Sequence, residues 1–180
     1  MVTLALAILA VPFASGAQPE RKIPRIGALM TGSPSAAGPY VDGFRQGLRE
    51  LGYREGENIT VEYRWVEGKV EQFRDALADL LRVEVDLIVA WGTPAVTAAK
   101  QTTSTVSIIF VAVGDPVGTG VVASLARPGG NITGLTNISA ELSAKLLELL
   151  KEVVPRLTRV AVLRNPTNPC LLYTSPSPRD

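Results

Sequence analysis

The hydrophobic positions of this chain fall into short apolar runs that alternate with amphipathic stretches between residues 23 and 164. The clearest run is DLIVAW at 86–91, which is followed by Gly92, Thr93 and Pro94 and then by good helix formers. An apolar run of this length, closed by turn residues, is typical of a strand buried on both faces of a parallel sheet. Thr93 is predicted to cap the helix that follows, with Pro94 as its first residue.

The same alternation continues along the chain and predicts a series of strands and helices. The predicted strands are 23–30, 59–66, 86–91, 107–113, 132–136 and 159–164. The predicted helices are 38–51 (with Gly52 as its C′ residue), 70–82, 93–101, 121–126 and 140–154. The last helix has an apolar stripe made of Leu142, Leu146, Leu149, Leu150 and Val153. Together these elements predict an α/β fold, a doubly wound parallel sheet with right-handed crossovers.

Composition narrows the chemistry that this fold could carry out. The chain has 180 residues, 46% hydrophobic and 19% charged, with a net charge of +1, so nothing suggests nucleic acid or an anionic membrane as a partner. It has no histidine and one cysteine, Cys170. Ser-His-Asp and Cys-His catalytic sites and His/Cys zinc sites are therefore excluded, and the expectation of an enzyme falls. We predict no metal and no cofactor.

Both ends of the chain differ from the alternating pattern. Residues 1–17 have a short apolar core followed by Ser15 and Ala17 at the −3 and −1 positions of a cleavage site, which predicts a signal peptide and a periplasmic protein. The alternative is a buried N-terminal strand or helix. No cysteine follows the core, so we expect no lipid anchor. Residues 170–180, CLLYTSPSPRD, show no periodicity and are predicted to be a non-native tail, with a natural tail as the alternative.

Four loops are expected to meet at the carboxyl edge of the sheet, at 31–35, 92–94, 114–116 and 136–137. They offer hydroxyl groups, an amide, backbone N–H groups and one carboxylate, that of Asp115, which is typical of small-molecule binding. Asp115 could bind a ligand ammonium or hydroxyl group, or it could only form a turn before Pro116. The glycine spacings match neither the dinucleotide fingerprint nor a P-loop, so a nucleotide enzyme is poorly supported.

Three segments of the sequence carry a family resemblance. They are FRQGLRELGYREGENITVEYRWVEG, DLIVAWGTPAVTAAK and IIFVAVGDPVGTGVVASLARPGGNITGL, and GDPVGTGVVASLARPGGNITG is the most specific part. The chain resembles the ABC-transporter substrate-binding proteins related to tryptophan- and tyrosine-type binding proteins over residues 22–169. The resemblance implies a two-lobe receptor of the periplasmic-binding-protein-like (type I) fold, a monomer when full length, that delivers a small ligand to a membrane permease. It implies these ligand-facing residues: Ser33, Ser35, Gly92, Thr93, Pro94, Asp115, Thr136 and Asn137 in the first lobe and Asn165 in the second.

The resemblance also implies a division of the chain. Residues 18–138 would form the N-terminal lobe, and 139–169 would form the crossover helix and first strand of a second lobe that is mostly absent. Such a fragment is expected to bind its ligand weakly or undetectably, because a clamshell holds the ligand between both lobes. One alternative is an α/β enzyme with Asp115 as acid or base, but no second titratable group lies in the same loops. Another is the sensor domain of a regulator, which would need a DNA-binding segment before Ile23.

Overall fold

The structure, a computed structural model, describes residues 22–137 and 139–162 and contains a five-stranded sheet. The strands are β1 (Arg25–Met30), β2 (Thr60–Trp65), β3 (Leu87–Trp91), β4 (Ser107–Val113) and β5 (Ile132–Thr136). All neighbours are parallel, and their order is β2-β1-β3-β4-β5. The doubly wound parallel sheet is therefore confirmed, with its topological switch between β1 and β3.

The helices of the described residues are α1 (Pro34–Glu50), α2 (Phe73–Arg82), α3 (Thr93–Thr102) and α4 (Ser139–Val153). A 3-10 turn, Val70–Gln72, leads into α2. The helix α1 begins four residues before the predicted start because Ser33 caps it: the Ser33 hydroxyl oxygen accepts a hydrogen bond from the Ala36 N–H at 3.3 Å. It ends as predicted, with Gly52 at a φ of 84° after the last turn.

Two apolar layers hold the helices to the sheet. On one face, α2 and α3 cover β1, β3 and β4, and Leu77, Leu80 and Ile88 are completely buried there. On the other face, α1 covers β1, β2 and β3, with Val41 and Ala28 buried at that contact. Since β3 has buried side chains on both faces, its continuous apolar sequence follows from its central position.

The predicted helix at 121–126 is wrong, because this segment forms turns and bends. The Ser124 hydroxyl accepts a hydrogen bond from the Arg127 N–H at 3.0 Å and donates one to the Arg127 carbonyl at 3.2 Å. Such local bonds compete with helical ones. Val121 and Val122 are nevertheless buried in the α2–α3 layer, so the segment is packed against the lobe without being helical.

The C-terminal part of the described chain does not pack against this sheet. The predicted strand at 159–164 is wrong for residues 159–162, which pair with no strand in the described structure; 163 and 164 lie outside it. The predicted apolar stripe of α4 is exposed at every position, from 39% at Leu150 to 80% at Val153. The predicted signal peptide and tail lie outside the described residues. Among the described helices, none is both long and apolar enough to cross a membrane.

The contact between β4 and β5 depends on a residue without a side chain. A β-carbon built on Gly134 would overlap the Phe110 carbonyl oxygen and would lie 2.6 Å from Cγ of the Phe110 ring. Neither backbone nor buried ring can move away easily, since Phe110 is only 3% exposed. Glycine at position 134 is therefore a steric requirement of this strand pair.

We expect Gly134→Ala to lower the free energy of unfolding by at least about 2 kcal/mol, because it forces apart two paired strands. Urea denaturation followed by circular dichroism measures this change. Gly47→Ala in α1 is the matched control, since open space surrounds its β-carbon position. That control should be neutral or should stabilise the protein by up to about 1 kcal/mol through helix propensity. Equal stability of the two variants would contradict the steric argument.

Asp86 joins the starts of β1 and β3. Its carboxylate accepts a hydrogen bond from the Arg25 N–H at 2.8 Å and one from the Lys22 ammonium at 2.7 Å. The hydrogen bond from Lys22, followed by that from the Arg25 backbone, lowers the pKa of Asp86 below its ordinary value of 3.8. The ionised carboxylate therefore favours the folded state.

We expect Asp86→Asn to be modestly less stable than the original chain at pH 7, with Glu71→Gln as a control on an exposed carboxylate. The lowered folded-state pKa fixes the sign of the pH dependence. The difference in unfolding free energy should be constant above about pH 5 and should shrink as the pH falls below the unfolded-state value. It should vanish below the folded-state pKa. A difference that does not change with pH, measured by urea denaturation, would contradict this role for the carboxylate.

Candidate functional site

Four loops meet at the carboxyl edge of the sheet, as the sequence predicted. Because β1, β3, β4 and β5 are parallel neighbours, the segments that follow them lie side by side along one edge. These segments contain eight of the nine predicted site residues. The ninth, Asn165, lies outside the described residues.

The loops after β1 and β3 touch at Thr31 and Gly92. A β-carbon on Gly92 would lie 3.6 Å from Cγ2 and 3.7 Å from Oγ1 of Thr31. The Gly92 N–H donates to the Val111 carbonyl at 2.9 Å, which joins β3 to β4 at the same place. Gly92 has a φ of 82° and a ψ of 154°, a conformation open essentially to glycine alone.

The helix α3 begins directly behind this contact, and its cap differs from the prediction. Gly92, not Thr93, is the N-cap residue; Thr93 and Pro94 are the first two residues of the helix. The Thr93 side chain is 2% exposed and packs into the lobe, so it does not turn back to cap the helix. No side chain of the described residues caps α3, and the positive end of its dipole faces the loop edge.

Ser33 and Ser35 lie at the start of α1, the neighbouring helix. The Ser33 hydroxyl caps α1, and its oxygen is 3.0 Å from the Ser35 hydroxyl oxygen. Ser33 therefore has a structural role whether or not it also binds a ligand. The two helices of this edge differ in one respect: α1 carries a side-chain cap and α3 does not.

Asp115 forms a turn in its own loop. Its Oδ1 atom accepts a hydrogen bond from the Gly118 N–H at 2.8 Å, and its carbonyl oxygen accepts one from the Thr119 N–H at 3.1 Å. These bonds support the interpretation of Asp115 as a turn former. The side chain is partly exposed, so the carboxylate is also accessible from outside the loop.

Thr136 and Asn137 are held to the end of β4 by a β-bulge. The Thr136 hydroxyl donates to the Val113 carbonyl at 2.7 Å, and the Asn137 N–H donates to the same oxygen at 3.1 Å. The bulge lies at Ala112, a non-glycine residue with a φ of 58°. The Thr136 hydroxyl is thus engaged in the fold, whereas the Asn137 side chain is exposed.

The prediction omitted two residues that shape this edge, Thr31 and Ala112. Thr31 was within a predicted site loop, and only its contact with Gly92 distinguishes it from its neighbours. Nothing in the sequence signals Ala112, because alanine is not a residue that favours a positive φ. In the described part of the chain, no group of three or more His, Cys, Asp or Glu side chains could hold a metal ion.

Comparison with known proteins identifies related sequences. Residues 32–170 match the model of the family described as ABC transporter substrate binding protein. The tyrosine-binding protein of Clostridioides difficile (strain R20291) is 34% identical over 124 residues, which cover 68% of this chain and 35% of that protein. The chain therefore spans about a third of the length of this curated relative.

Solved structures show the same fold. A conserved domain protein from Vibrio cholerae superposes with a TM-score of 0.77 at 29% identity, covering 84% of this chain and 51% of the other. An ABC domain in complex with L-Trp from Streptococcus pneumonia gives a TM-score of 0.60 at 29% identity, covering 64% and 39%. The ligand-free, open structure of a Clostridium difficile substrate-binding protein with adhesive properties gives 0.62 at 29% identity, covering 74% and 45%.

The turn at Asp115 can be tested by separating its hydrogen bond from its charge. We expect Asp115→Ala to lower the free energy of unfolding by about 1 kcal/mol, because the Gly118 N–H loses its acceptor. Asp115→Asn keeps a side-chain oxygen and should lose clearly less. Urea denaturation of both variants measures the difference. If the two substitutions cost the same, the charge rather than the turn stabilises this loop.

Proposed function

The chain belongs to the ABC transporter substrate-binding protein family, and on that premise we propose that it captures a small ligand for an ABC importer. Proteins of this family bind substrates and are not enzymes, which confirms the prediction that the chain is not an enzyme. The proposed ligand is an amino acid. The proposed contacts are the residues predicted from the sequence: Ser33, Ser35, Gly92, Thr93, Pro94, Asp115, Thr136, Asn137 and Asn165.

The uncapped N-terminus of α3 is the observation that carries this proposal. The uncapped start of α3 leaves the Thr93 and Ala95 N–H groups without a helical partner, because Pro94 has no N–H. These two groups and the positive dipole end suit an anionic group, such as the carboxylate of an amino acid. Gly92 favours binding of an anion at the start of α3, because it has no side chain that would keep a ligand away from the backbone. The accessible oxygen of Asp115 would suit the ammonium group of the same ligand.

The names of the relatives support an aromatic amino acid. One relative is named a tyrosine-binding protein, and one solved relative holds L-Trp. Trp91 ends β3 next to Gly92, is partly exposed, and packs edge-on against Phe44 at a centroid distance of 5.5 Å. An aromatic surface therefore lies beside the proposed carboxylate site.

We infer that this lobe works with a second one. The chain covers between 35% and 51% of the relatives described above, a share that fits one lobe of two. In this proposal α4 crosses to the second lobe, Asn165 belongs to that lobe, and the lobes close on the ligand by a hinge motion. The exposed apolar stripe of α4 would then be covered by residues beyond those described.

The cellular setting follows the same proposal. Residues 1–17 would direct export to the periplasm, and the full-length protein would be a monomer that docks on a membrane permease. These assignments rest on the apolar N-terminal sequence and on the family rather than on the geometry of the sheet.

We predict that L-Tyr or L-Trp raises the melting temperature of a version extended at its C-terminus by the genomic reading frame. The 180-residue chain should show little or no shift, since in this proposal the second lobe supplies half of the enclosing site. A thermal-shift screen of both proteins against the amino acids measures this. Micromolar binding by the 180-residue chain in calorimetry, or an extended frame without a second α/β lobe, would contradict the proposal.

The role of the α3 N-terminus is tested in the extended protein by Gly92→Ala. We expect this variant to lose the ligand-induced shift, because alanine disfavours the left-handed backbone that leaves the helix start open. Gly56→Ala is the matched control: Gly56 also has a positive φ, 85°, but lies in the turn that precedes β2. The control should lose similar stability and keep the ligand shift. Equal ligand shifts in both variants would refute this role for Gly92.

A further inference from the structure

A cavity lies between the first half of α1 and the carboxyl half of β2. Its volume is about 280 Å³, near the lower end of the range for small-molecule sites. Its lining residues are Pro34, Gly38, Val41, Asp42, Arg45, Tyr63 and Trp65. None of them is among the nine residues proposed for the amino-acid site, and only Pro34, between Ser33 and Ser35, lies in one of that site's loops.

One wall of the cavity is aromatic. Tyr63 and Trp65 lie two residues apart on the same face of the edge strand β2, and their rings stack at a centroid distance of 6.2 Å with an angle of 12° between planes. The Arg45 guanidinium lies 5.1 Å from the centre of the Tyr63 ring. Tyr63 therefore already has a cationic partner, whereas the partly exposed Trp65 ring has no cation over it in the described structure.

The opposite wall is open because of a glycine. No atom lies within 4 Å of the position that a β-carbon on Gly38 would take. Gly38 is followed by Pro39 inside the helix, where a β-carbon on the preceding residue would clash with the proline ring, so glycine also suits this position for a local reason. Gly38 therefore leaves space beside the aromatic wall.

The charges at the cavity favour a cation. The Arg45 guanidinium is neutralised by Glu55, with 2.9 Å between Nε and Oε2, and this hydrogen bond raises the pKa of Arg45. Asp42 lies one turn before Arg45 on α1 and makes no ion pair in the part of the chain that the structure describes. The carboxylate of Asp42 is therefore the one uncompensated charge among the residues that line the cavity.

We propose that this cavity binds a small organic cation, an ammonium group on an aromatic or aliphatic body. The ammonium group would pair with the Asp42 carboxylate, and the body would lie in the space left by Gly38 against the Trp65 ring. Ammonium groups interact favourably with both carboxylates and aromatic faces, so the two walls select the same class of ligand. The site is built within one lobe and does not depend on the amino-acid site or on a second lobe.

The test titrates the 180-residue chain with phenethylammonium by calorimetry, using 2-phenylethanol and phenylacetate as neutral and anionic analogues. We expect saturable binding of the ammonium with a Kd on the order of 1 mM, as suits a ligand of this size. The alcohol should bind at least about fivefold more weakly, because it forms no ion pair. Phenylacetate should not bind.

Paired variants locate the site. Gly38→Leu fills the cavity and should abolish binding, whereas Gly43→Leu, on the exposed side of the same helix, should bind as the original chain does. Leucine at position 38 precedes Pro39 and crowds the helical backbone there, so circular dichroism must show that Gly38→Leu is folded as the original chain is. If this variant does not fold, the aspartate variants that follow locate the site. Asp42→Asn should weaken binding about fivefold, and Asp75→Asn, an exposed aspartate of α2, should leave it unchanged.

Three results would overturn the proposal. The first is the absence of saturable binding of phenethylammonium. The second is equal affinity for the ammonium, the alcohol and the carboxylate, which would indicate unspecific apolar contact. The third is binding that survives Gly38→Leu and Asp42→Asn but is lost in Gly92→Ala, which would place the ammonium at the loop edge. The first two results do not bear on the L-Tyr and L-Trp screen of the extended protein, whereas the third would assign the ammonium to the proposed amino-acid site.

Discussion

The burial of β3 between β1 and β4 is the constraint on which the rest of the lobe depends. Its Ile88 and Ala90 side chains are fully enclosed under α2 and α3, and Val89 is enclosed under α1. A strand covered on both faces must be parallel to its neighbours when each connection crosses the sheet through a helix. That arrangement aligns the carboxyl ends of β1, β3 and β4, and it brings Thr31, Gly92 and the end of β4 together at one edge.

The sequence predicts those features that depend on local pattern. Apolar and alternating runs locate all five strands of the sheet within two residues. Burial on both faces makes the central strand β3 continuously apolar, whereas the edge strand β2 alternates. Prediction fails where a contact distant in sequence or a side-chain hydrogen bond decides the conformation. Ser124 bonds to Arg127 and prevents a helix, and the burial of Thr93 leaves Gly92 as the cap of α3. The positive φ of Ala112 depends on the pairing of β4 with β5, which no local pattern encodes.

The sequence predicts which loops form the candidate site, but it does not predict what each side chain in those loops contacts. Ser33, Asp115 and Thr136 lie in the predicted loops, and the family resemblance implies that they face the ligand. The structure shows that each makes a hydrogen bond within the fold. Ser33 caps α1, Asp115 holds its turn, and Thr136 holds the bulge. The start of α3 has no side-chain cap, and an uncapped backbone has no signature in a residue list. These three polar side chains therefore hold the loops of the candidate site in place, whatever contact each makes with a ligand.

The two proposed sites differ in how far they depend on other surfaces. The loop edge is a row of groups along one side of the sheet, so a ligand placed there keeps its other side in water unless a second surface closes over it. The cavity beside α1 has both of its walls, Gly38 with Asp42 and Tyr63 with Trp65, within residues 34–65. Enclosure strengthens an ion pair because it removes competing water. Affinity at the loop edge should therefore rise steeply when a second lobe is present, whereas affinity in the cavity should be the same with and without it.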